Sequence, residues 1–102
     1  MQAKPRYIVL FYDRAEKVLP MKQLLQHASL PIELDCVEDF QQLLSILDKR
    51  LPDIIIVYAN NSPNRFISYL KSIRENYRTD EIPVYVFTHL PEKQTIEDIL
   101  GN

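Results

Sequence analysis

Four segments of the chain consist mainly of apolar residues and have the length of a β-strand. Two of them are continuous runs of β-branched and aromatic residues, at 7–12 (YIVLFY) and 53–58 (DIIIVY). Such runs are typical of parallel strands that are buried on both faces of a sheet. The segment at 32–37 (IELDCV) alternates apolar and polar residues, as a half-buried edge strand does, and 82–88 (IPVYVFT) is the fourth. The pattern therefore predicts four strands, with 53–58 at the centre of the sheet.

Apolar residues spaced three and four apart fill the intervals between these strands, and each set predicts the buried face of a helix. The first set consists of Val18, Met21, Leu24, Leu25 and Ala28. Pro20 lies inside this set, and proline is tolerated only in the first turn of a helix. We therefore expect the first helix to begin near Val18 or Leu19, or to be kinked there.

Three further sets of apolar residues predict the remaining helices. The second helix has Phe40, Leu43, Leu44 and Leu47, the third has Phe66, Leu70, Ile73 and Tyr77, and the last, within 92–100, has Ile96, Ile99 and Leu100. Glu38 or Asp39 is the expected N-cap of the second helix, because a carboxylate there can accept hydrogen bonds from the first turn.

Strands and helices alternate along the whole chain in the order β-α-β-α-β-α-β-α. This alternation, with apolar strands, predicts a parallel sheet covered by helices on both faces, in one α/β domain that spans 1–102. Functional residues of such sheets lie at the carboxyl ends of the strands. The residues at those ends are Tyr12, Asp13, Tyr58, Ala59, Asn60, Thr88 and His89.

The composition narrows the functional classes. The chain has 102 residues, enough for one domain, and its 12 basic and 14 acidic side chains give a net charge of −2. This balance argues against a nucleic-acid binder, which usually carries a basic surface. No apolar run approaches the roughly 18 residues of a membrane span, and residues 1–6 have no apolar signal core. Together with a single cysteine, Cys36, these features predict a cytoplasmic protein without a membrane or nucleic-acid partner.

Little catalytic chemistry is available at the expected carboxyl ends. Asp13 is the only carboxylate there, and a tight Mg²⁺ site is not expected from one carboxylate alone. We therefore favour a role for Asp13 in capping the turn after the first strand. The only glycine is Gly101, which excludes a glycine-rich phosphate loop, and the cysteine and histidines have no metal-ligand spacing. We predict neither an enzyme nor a cofactor or metal site.

Four other side chains could carry chemistry but have simpler interpretations. His27 falls near the end of a helix, where the helix dipole favours a cation, and Cys36 is expected to be a small buried residue within a strand. Tyr58 is expected to fill space at the mouth of the sheet or to pack against a partner. His89 could serve as a general base, which keeps an enzymatic function as a third alternative, although no nucleophile can be named beside it.

Charged residues are concentrated in two parts of the chain. The third helix carries Arg65, Lys71, Arg74 and Arg78, and the second strand and its end carry Glu33, Asp35, Glu38 and Asp39. The simpler interpretation is two solvated faces. In the sharper one, the complementary patches orient a protein partner or a second copy of the chain.

With these motifs the chain resembles the receiver domain of bacterial two-component response regulators, a flavodoxin-like fold with the sheet order 2-1-3-4-5. Residues 51–58 (LPDIIIVY) are similar to the receiver's third strand, which ends in the phosphoacceptor aspartate. Residues 82–88 are similar to the fourth strand, with Thr88 at the switch Ser/Thr position, and Tyr12 and Asp13 stand where the family has its acidic pair. The resemblance implies a three-layer α-β-α sandwich with a parallel sheet of order 2-1-3-4, a truncated receiver fold without the fifth βα unit.

The departures from the receiver pattern concern its chemistry. Tyr58 stands at the phosphoacceptor position, Tyr12 replaces one acid of the pair, and the fifth strand with its lysine has no counterpart. The resemblance therefore implies a degenerate pseudo-receiver that acts through protein–protein contacts and is not phosphorylated on aspartate. Its degenerate site consists of Tyr12, Asp13, Tyr58 and Thr88. The alternative is a flavodoxin-like domain that binds a small ligand or anion through Asn60, Asn61, Ser62, Thr88 and His89.

The order 2-1-3-4 leaves the fourth strand at an edge, where unpaired backbone groups and apolar side chains favour association. We expect 82–88 either to pair with a second chain, giving a homodimer, or to be covered by the segment that begins at Leu90. Gly101 has the position of a helix C′ residue, so that a further strand could instead follow it in a longer protein. The residues of the expected interaction edge are Val84, Tyr85, Val86, Phe87 and His89.

Overall fold

The computed structural model of the protein describes residues 4–59, 63–76 and 81–101. Four strands and four helices alternate along the chain, which confirms the predicted α/β class. Their order is β1 (Arg6–Tyr12), α1 (Ala15–Gln26), β2 (Ile32–Val37), α2 (Phe40–Lys49), β3 (Ile54–Tyr58), α3 (Pro63–Asn76), β4 (Val84–Phe87) and α4 (Lys93–Gly101).

The four strands form one parallel sheet in the order β2-β1-β3-β4, as predicted. β1 lies between β2 and β3, so that Leu10 pairs with Cys36 on one side and with Ile56 on the other. β1 and β3 are apolar along almost their whole length because the two central strands are covered on both faces. β2, with its alternating sequence, forms one edge, and β4 forms the other. The described strands have the topology of the first four strands of a flavodoxin-like sheet.

Helices cover both faces of the sheet and divide the core into two halves. The half under α2 and α3 contains odd-numbered positions of the central strands, such as Val9 and Val57. The half under α1 and α4 contains even-numbered positions, such as Leu10 and Ile56. This division follows from the two-residue period of a strand, and it gives the predicted three-layer arrangement. In the described part of the chain, no helix is both long and apolar enough to cross a membrane.

The final helix packs beside α1 rather than beside α3. Its buried residues Ile96, Ile99 and Leu100 belong to the core half that α1 also covers. Ser29, which follows α1, donates from its N–H and its hydroxyl to the two carboxylate oxygens of Glu97, at 2.9 and 2.5 Å. The final segment therefore covers a face of the sheet and does not extend the sheet beyond β4.

The start of α1 differs from the prediction. The helix begins at Ala15, ahead of the first buried residue, and Pro20 lies in its second turn. The first turn is exposed and is supported by an ion pair between Arg14 and Glu16, at 2.7 Å. Pro20 removes one backbone hydrogen bond, because its nitrogen cannot donate to the carbonyl of Glu16. The apolar set located the buried face of the helix but contained no signal for its exposed first turn.

Two further predictions are corrected in the carboxyl-terminal part of the chain. β4 comprises Val84–Phe87 rather than 82–88, since Pro83 has no N–H for a sheet ladder and Thr88 already lies in a bend. Gly101 is the last residue of α4, and its φ is not positive, so it is not the left-handed C′ residue that we expected. Tyr77 and Arg78, assigned to the third helix from the sequence, lie outside the described residues.

Candidate functional site

The carboxyl ends of β1, β3 and β4 lie level with one another. Tyr12 pairs with Tyr58 across β1 and β3, and Tyr58 pairs with Phe87 across β3 and β4. Thr88 and His89 follow β4 and are exposed. The sheet therefore brings the predicted positions to one edge, as the parallel topology requires.

Tyr58 is part of the core rather than of an open site. It is only 5% exposed, and it lies in the core half under α1 and α4, together with Ile54 and Ile96. Its even-numbered position explains this placement, because Ile54 and Ile56 point to the same face of the strand. The expectation that Tyr58 fills space at the mouth of the sheet is confirmed, and its ring presents no carboxylate there.

Asp13 occupies the connection between β1 and α1 and is half-buried. Its backbone N–H donates to the carbonyl of Tyr58 at 3.3 Å, which ties the end of β1 to the end of β3. The N-cap residue of α1 is Arg14, whose side chain makes no capping hydrogen bond. Among the described residues, no group of three or more Asp, Glu, His and Cys side chains is arranged to hold a metal ion.

A tyrosine and a glutamate meet at the ends of β1 and β2. Glu38 lies near Tyr12, and burial, followed by the charge of the Glu38 carboxylate, raises the pKa of Tyr12. Each effect disfavours the phenolate, so Tyr12 stays a neutral hydrogen-bond donor. The sequence placed Glu38 only as a possible helix cap, and it held no signal that Glu38 would reach across to β1.

An open cleft of about 670 Å³ lies beside this pair, lined by residues 38–42 and by Tyr69. Its apolar part consists of Phe40 and Tyr69, whose rings stack with centroids 4.3 Å apart. Beneath them, Phe11 contacts Phe66 edge to face at 4.7 Å. This aromatic cluster (Phe11, Phe40, Phe66 and Tyr69) joins the end of β1 to α2 and α3. Sequence patterns assigned Phe40 and Phe66 to helix faces but gave no indication of Tyr69.

The four acidic residues at β2 each have a local partner. Asp39 is the N-cap of α2, as predicted, and its carboxylate accepts from the N–H of Gln41 at 2.7 Å. Glu33 forms an ion pair with Arg50, Glu38 lies near Tyr12, and Asp35 accepts from the hydroxyl of Tyr7 at 2.6 Å. These contacts account for the acidic residues within the fold, which favours the simpler interpretation of this patch.

The basic residues of α3 are described only in part. Lys71 is exposed, and Arg74 donates to the carbonyl of Ile82 at 3.0 Å, which attaches α3 to the start of β4. Arg78 and the side chain of Arg65 lie outside the described residues. The same holds for Asn60, Asn61 and Ser62, which the ligand-binding alternative requires.

The remaining candidates have structural roles. His27 is the C-cap residue of α1, where its backbone N–H donates to the carbonyl of Gln23. Cys36 is half-buried against the core half under α1, and this burial raises the pKa of its thiol, which lowers the fraction of reactive thiolate. His89 is exposed beyond β4.

The arrangement defines an α/β protein in which Tyr12 and Tyr58 end the two central strands and Asp13 follows the first of them. Comparison of the chain with protein-family models, with curated proteins and with solved structures gave no match in any of the three.

Proposed function

We propose that this chain is a pseudo-receiver, a receiver-like domain that regulates signalling in a bacterial cytoplasm through contacts with protein. In this proposal it is not an enzyme and is not phosphorylated by the usual aspartate route. The observation that carries the proposal is the buried ring of Tyr58 at the end of β3. An acyl phosphate requires an accessible carboxylate, and a phenol buried in the core half under α1 and α4 offers none.

The surroundings of Tyr58 support the same conclusion. Tyr12 takes the place of one acid of the receiver's pair, which leaves Asp13 as the carboxylate that directly follows β1. One carboxylate gives much less electrostatic attraction for Mg²⁺ than two. The regular parallel sheet, in contrast, is complete through β4, so the scaffold is retained while the reactive groups are replaced.

The test is incubation with acetyl phosphate and Mg²⁺, followed by measurement of intact mass. We expect no gain of about 80 Da, the mass of one phosphoryl group. An ordinary receiver domain treated in parallel is the positive control. A stable adduct that disappears in Asp13→Ala would overturn the proposal, because it would show that Asp13 accepts a phosphoryl group.

The cleft between α2 and α3 favours a second candidate, the binding of a small organic cation. The faces of Phe40 and Tyr69 and the carboxylates of Glu38 and Asp39 lie around one opening. Aromatic faces and carboxylates both attract cations, and the carboxylates repel the anions that the strand ends were expected to bind.

Thermal shift with a tetraalkylammonium salt, and with phosphate for comparison, tests this second candidate. We expect stabilisation by the cation alone, with its loss in Tyr69→Leu and its retention in the control Tyr85→Phe. Equal shifts with cation and phosphate, or no shift with either, would exclude a site of this kind.

A further inference from the structure

We propose that the partner of this domain is a second copy of itself, joined through the outer edge of β4. In this dimer the two β4 strands are antiparallel and are related by a two-fold axis that passes beside Tyr85. The inference rests on the proposed function, since it names the partner in a protein–protein contact. The two sheets together form one sheet of eight strands.

The outer edge of β4 presents unpaired backbone groups at known positions. In the described part of the chain, β4 pairs with β3 alone. The carbonyls of Pro83 and Phe87 accept from the N–H groups of Ile55 and Ala59, at 3.1 and 2.9 Å. Because backbone groups alternate in direction along a strand, the N–H and C=O of the even-numbered Val84 and Val86 point away from β3.

A strand that followed α4 directly would not fill this edge. α2 and α3 make the crossovers that run towards β4, and both lie on one face of the sheet. α4 lies on the other face, with α1. A crossover from β4 through α4 to a position beyond β4 would therefore be left-handed, and about 98% of such connections are right-handed. The position of α4 thus leaves the edge available to another chain.

The side chains of β4 favour a second copy as the occupant. All four residues of the strand, Val84–Phe87, are uncharged, so two copies can meet without electrostatic repulsion. β2, at the other edge, carries exposed Glu33 and Asp35, and antiparallel pairing of two β2 strands would bring these like charges together. Charges on an edge strand are a common protection against association. The charges of β2 therefore protect that edge of the sheet against pairing with another copy, and β4 has no such charges.

Symmetry fixes the register of the pair. Opposed residues in an antiparallel pair point to the same face, so the two-fold axis must pass beside a residue rather than between two residues. An axis beside Tyr85 sets Val84 opposite the partner's Val86, and both have outward backbone groups. In this register the two β4 strands exchange four backbone hydrogen bonds, between Val84 of each copy and Val86 of the other. It also covers Val86, which is 43% exposed in the single chain. An axis beside Val86 would instead require Thr88, which lies in a bend.

Sedimentation equilibrium over a wide range of protein concentration tests the association. We expect a reversible monomer–dimer equilibrium that Val86→Lys weakens by about tenfold or more, because it places a charge within the pairing edge. Leu19→Lys is the matched control: Leu19 is also an exposed apolar residue, at 56%, but it lies on α1. A wild-type monomer at all concentrations, or equal weakening by both variants, would overturn the proposal.

Cysteine crosslinking tests the register, in a Cys36→Ala background that removes the native thiol. A cysteine at 85 faces its own copy in a non-hydrogen-bonded pair, whose Cα separation of about 4.5 Å allows a disulfide. A cysteine at 86 is displaced by two residues from its copy and lies too far away. We expect Tyr85→Cys, and not Val86→Cys, to give a covalent dimer on mild oxidation. The opposite result would overturn the register.

The outcomes of the association and crosslinking tests are separable from that of the phosphorylation test: a strict monomer that takes no phosphoryl group removes this inference alone, whereas an Asp13-dependent adduct removes the proposed function.

Discussion

The ring of Tyr58 connects the sequence of β3 to the chemistry that the site lacks. At the end of an apolar strand, an even-numbered residue points towards α1 and α4, and Tyr58 is 5% exposed there, in the core half that these helices cover. An aromatic ring of this size contributes a large share of the buried apolar area around it. Tyr58 has therefore become a core residue, and its replacement affects folding before it affects any chemistry.

Replacement of Tyr58 by aspartate should destabilise the protein rather than restore phosphorylation. Tyr58→Asp removes the buried ring and places a carboxylate in apolar surroundings, so we expect the free energy of unfolding to fall by about 3 kcal/mol or more. Tyr58→Phe, which keeps the ring, is the control and should cost much less. Urea unfolding measures both. A Tyr58→Asp variant that keeps its stability and gains a phosphoryl group would contradict this account.

Tyr7 lies at the opposite end of β1 and is held by several groups. Its hydroxyl donates to Asp35 at 2.6 Å, its N–H donates to Asp53 at 2.8 Å, and the guanidinium of Arg50 lies 4.1 Å from the centre of its ring. Burial, and then the hydrogen bond to Asp35, raises the pKa of Tyr7 well above its usual value. Through these contacts one residue, Tyr7, connects β1 to β2, to the residue before β3 and to the end of α2.

The contribution of Tyr7 should disappear at alkaline pH. Tyr7→Phe removes the hydrogen bond to Asp35, and we expect a loss of about 1 kcal/mol in the free energy of unfolding at neutral pH. Because the pKa is raised in the folded state, the phenol's stabilisation is complete below the unfolded pKa of about 10 and declines as the pH rises above it. The difference between wild type and Tyr7→Phe should therefore shrink there. An equal loss in an Asp35→Ala background would show that the bond is not its source.

At the scale of elements, α4 shows how packing decides what local pattern leaves open. The stripe of Ile96, Ile99 and Leu100 predicts a buried helix face, and that prediction is confirmed. The stripe would be the same on either side of the sheet, so it could not predict that α4 packs beside α1. The bonds from Ser29 to Glu97 join residues that are 68 positions apart and leave no local pattern.

The packing of α4 against the sheet should be a main source of stability. Ile96 is fully buried, so Ile96→Ala should lower the free energy of unfolding by about 2–4 kcal/mol. Leu90→Ala is the matched control, because Leu90 precedes the helix and is 46% exposed, and it should change stability by less than about 0.5 kcal/mol. Equal effects of the two substitutions in chemical denaturation would mean that α4 is not docked on this face.

The strands were predictable because their signal is local, and the site was not, because its contacts are distant. A run such as 53–58 identifies a central strand by itself, and Asp39 caps α2 as its position next to an apolar stripe suggested. The proximity of Glu38 to Tyr12 and the stack of Phe40 on Tyr69 instead depend on how elements pack. The sequence predicted which residues lie at the carboxyl ends of the strands, but it could not predict the direction in which each side chain points.

At the scale of the whole molecule, the sheet has a protected centre and two different edges. β1 and β3 are paired on both sides, and every residue of β3 is buried, whereas β2 and β4 each have one free side in the described structure. Local opening of a protein begins where backbone hydrogen bonds and buried contacts are fewest. The edges should therefore open far more often than the centre.

Hydrogen exchange should reproduce this ranking. In dilute protein we expect the amides of Leu10 and Ile56 to exchange slowest, close to the rate set by global unfolding, and those of Val84 and Val86 to exchange fastest among the strand residues. The measurement is residue-resolved exchange by NMR. Uniform rates across β1 and β4 would contradict a sheet with a protected centre and a free edge.

The position of α4 has a consequence for synthesis of the protein on the ribosome. Domains begin to fold while the chain is still being made, from the amino-terminal side. β1 and β3 are completed at Tyr58, but only α1 can cover the face that carries Ile54 and Ile56 until residues 93–101 have also been made. During that interval the nascent chain exposes the part of this face that α4 covers in the folded protein, together with the uncharged strand Val84–Phe87. The chain is therefore most prone to association while it is still on the ribosome, where chaperones can bind it.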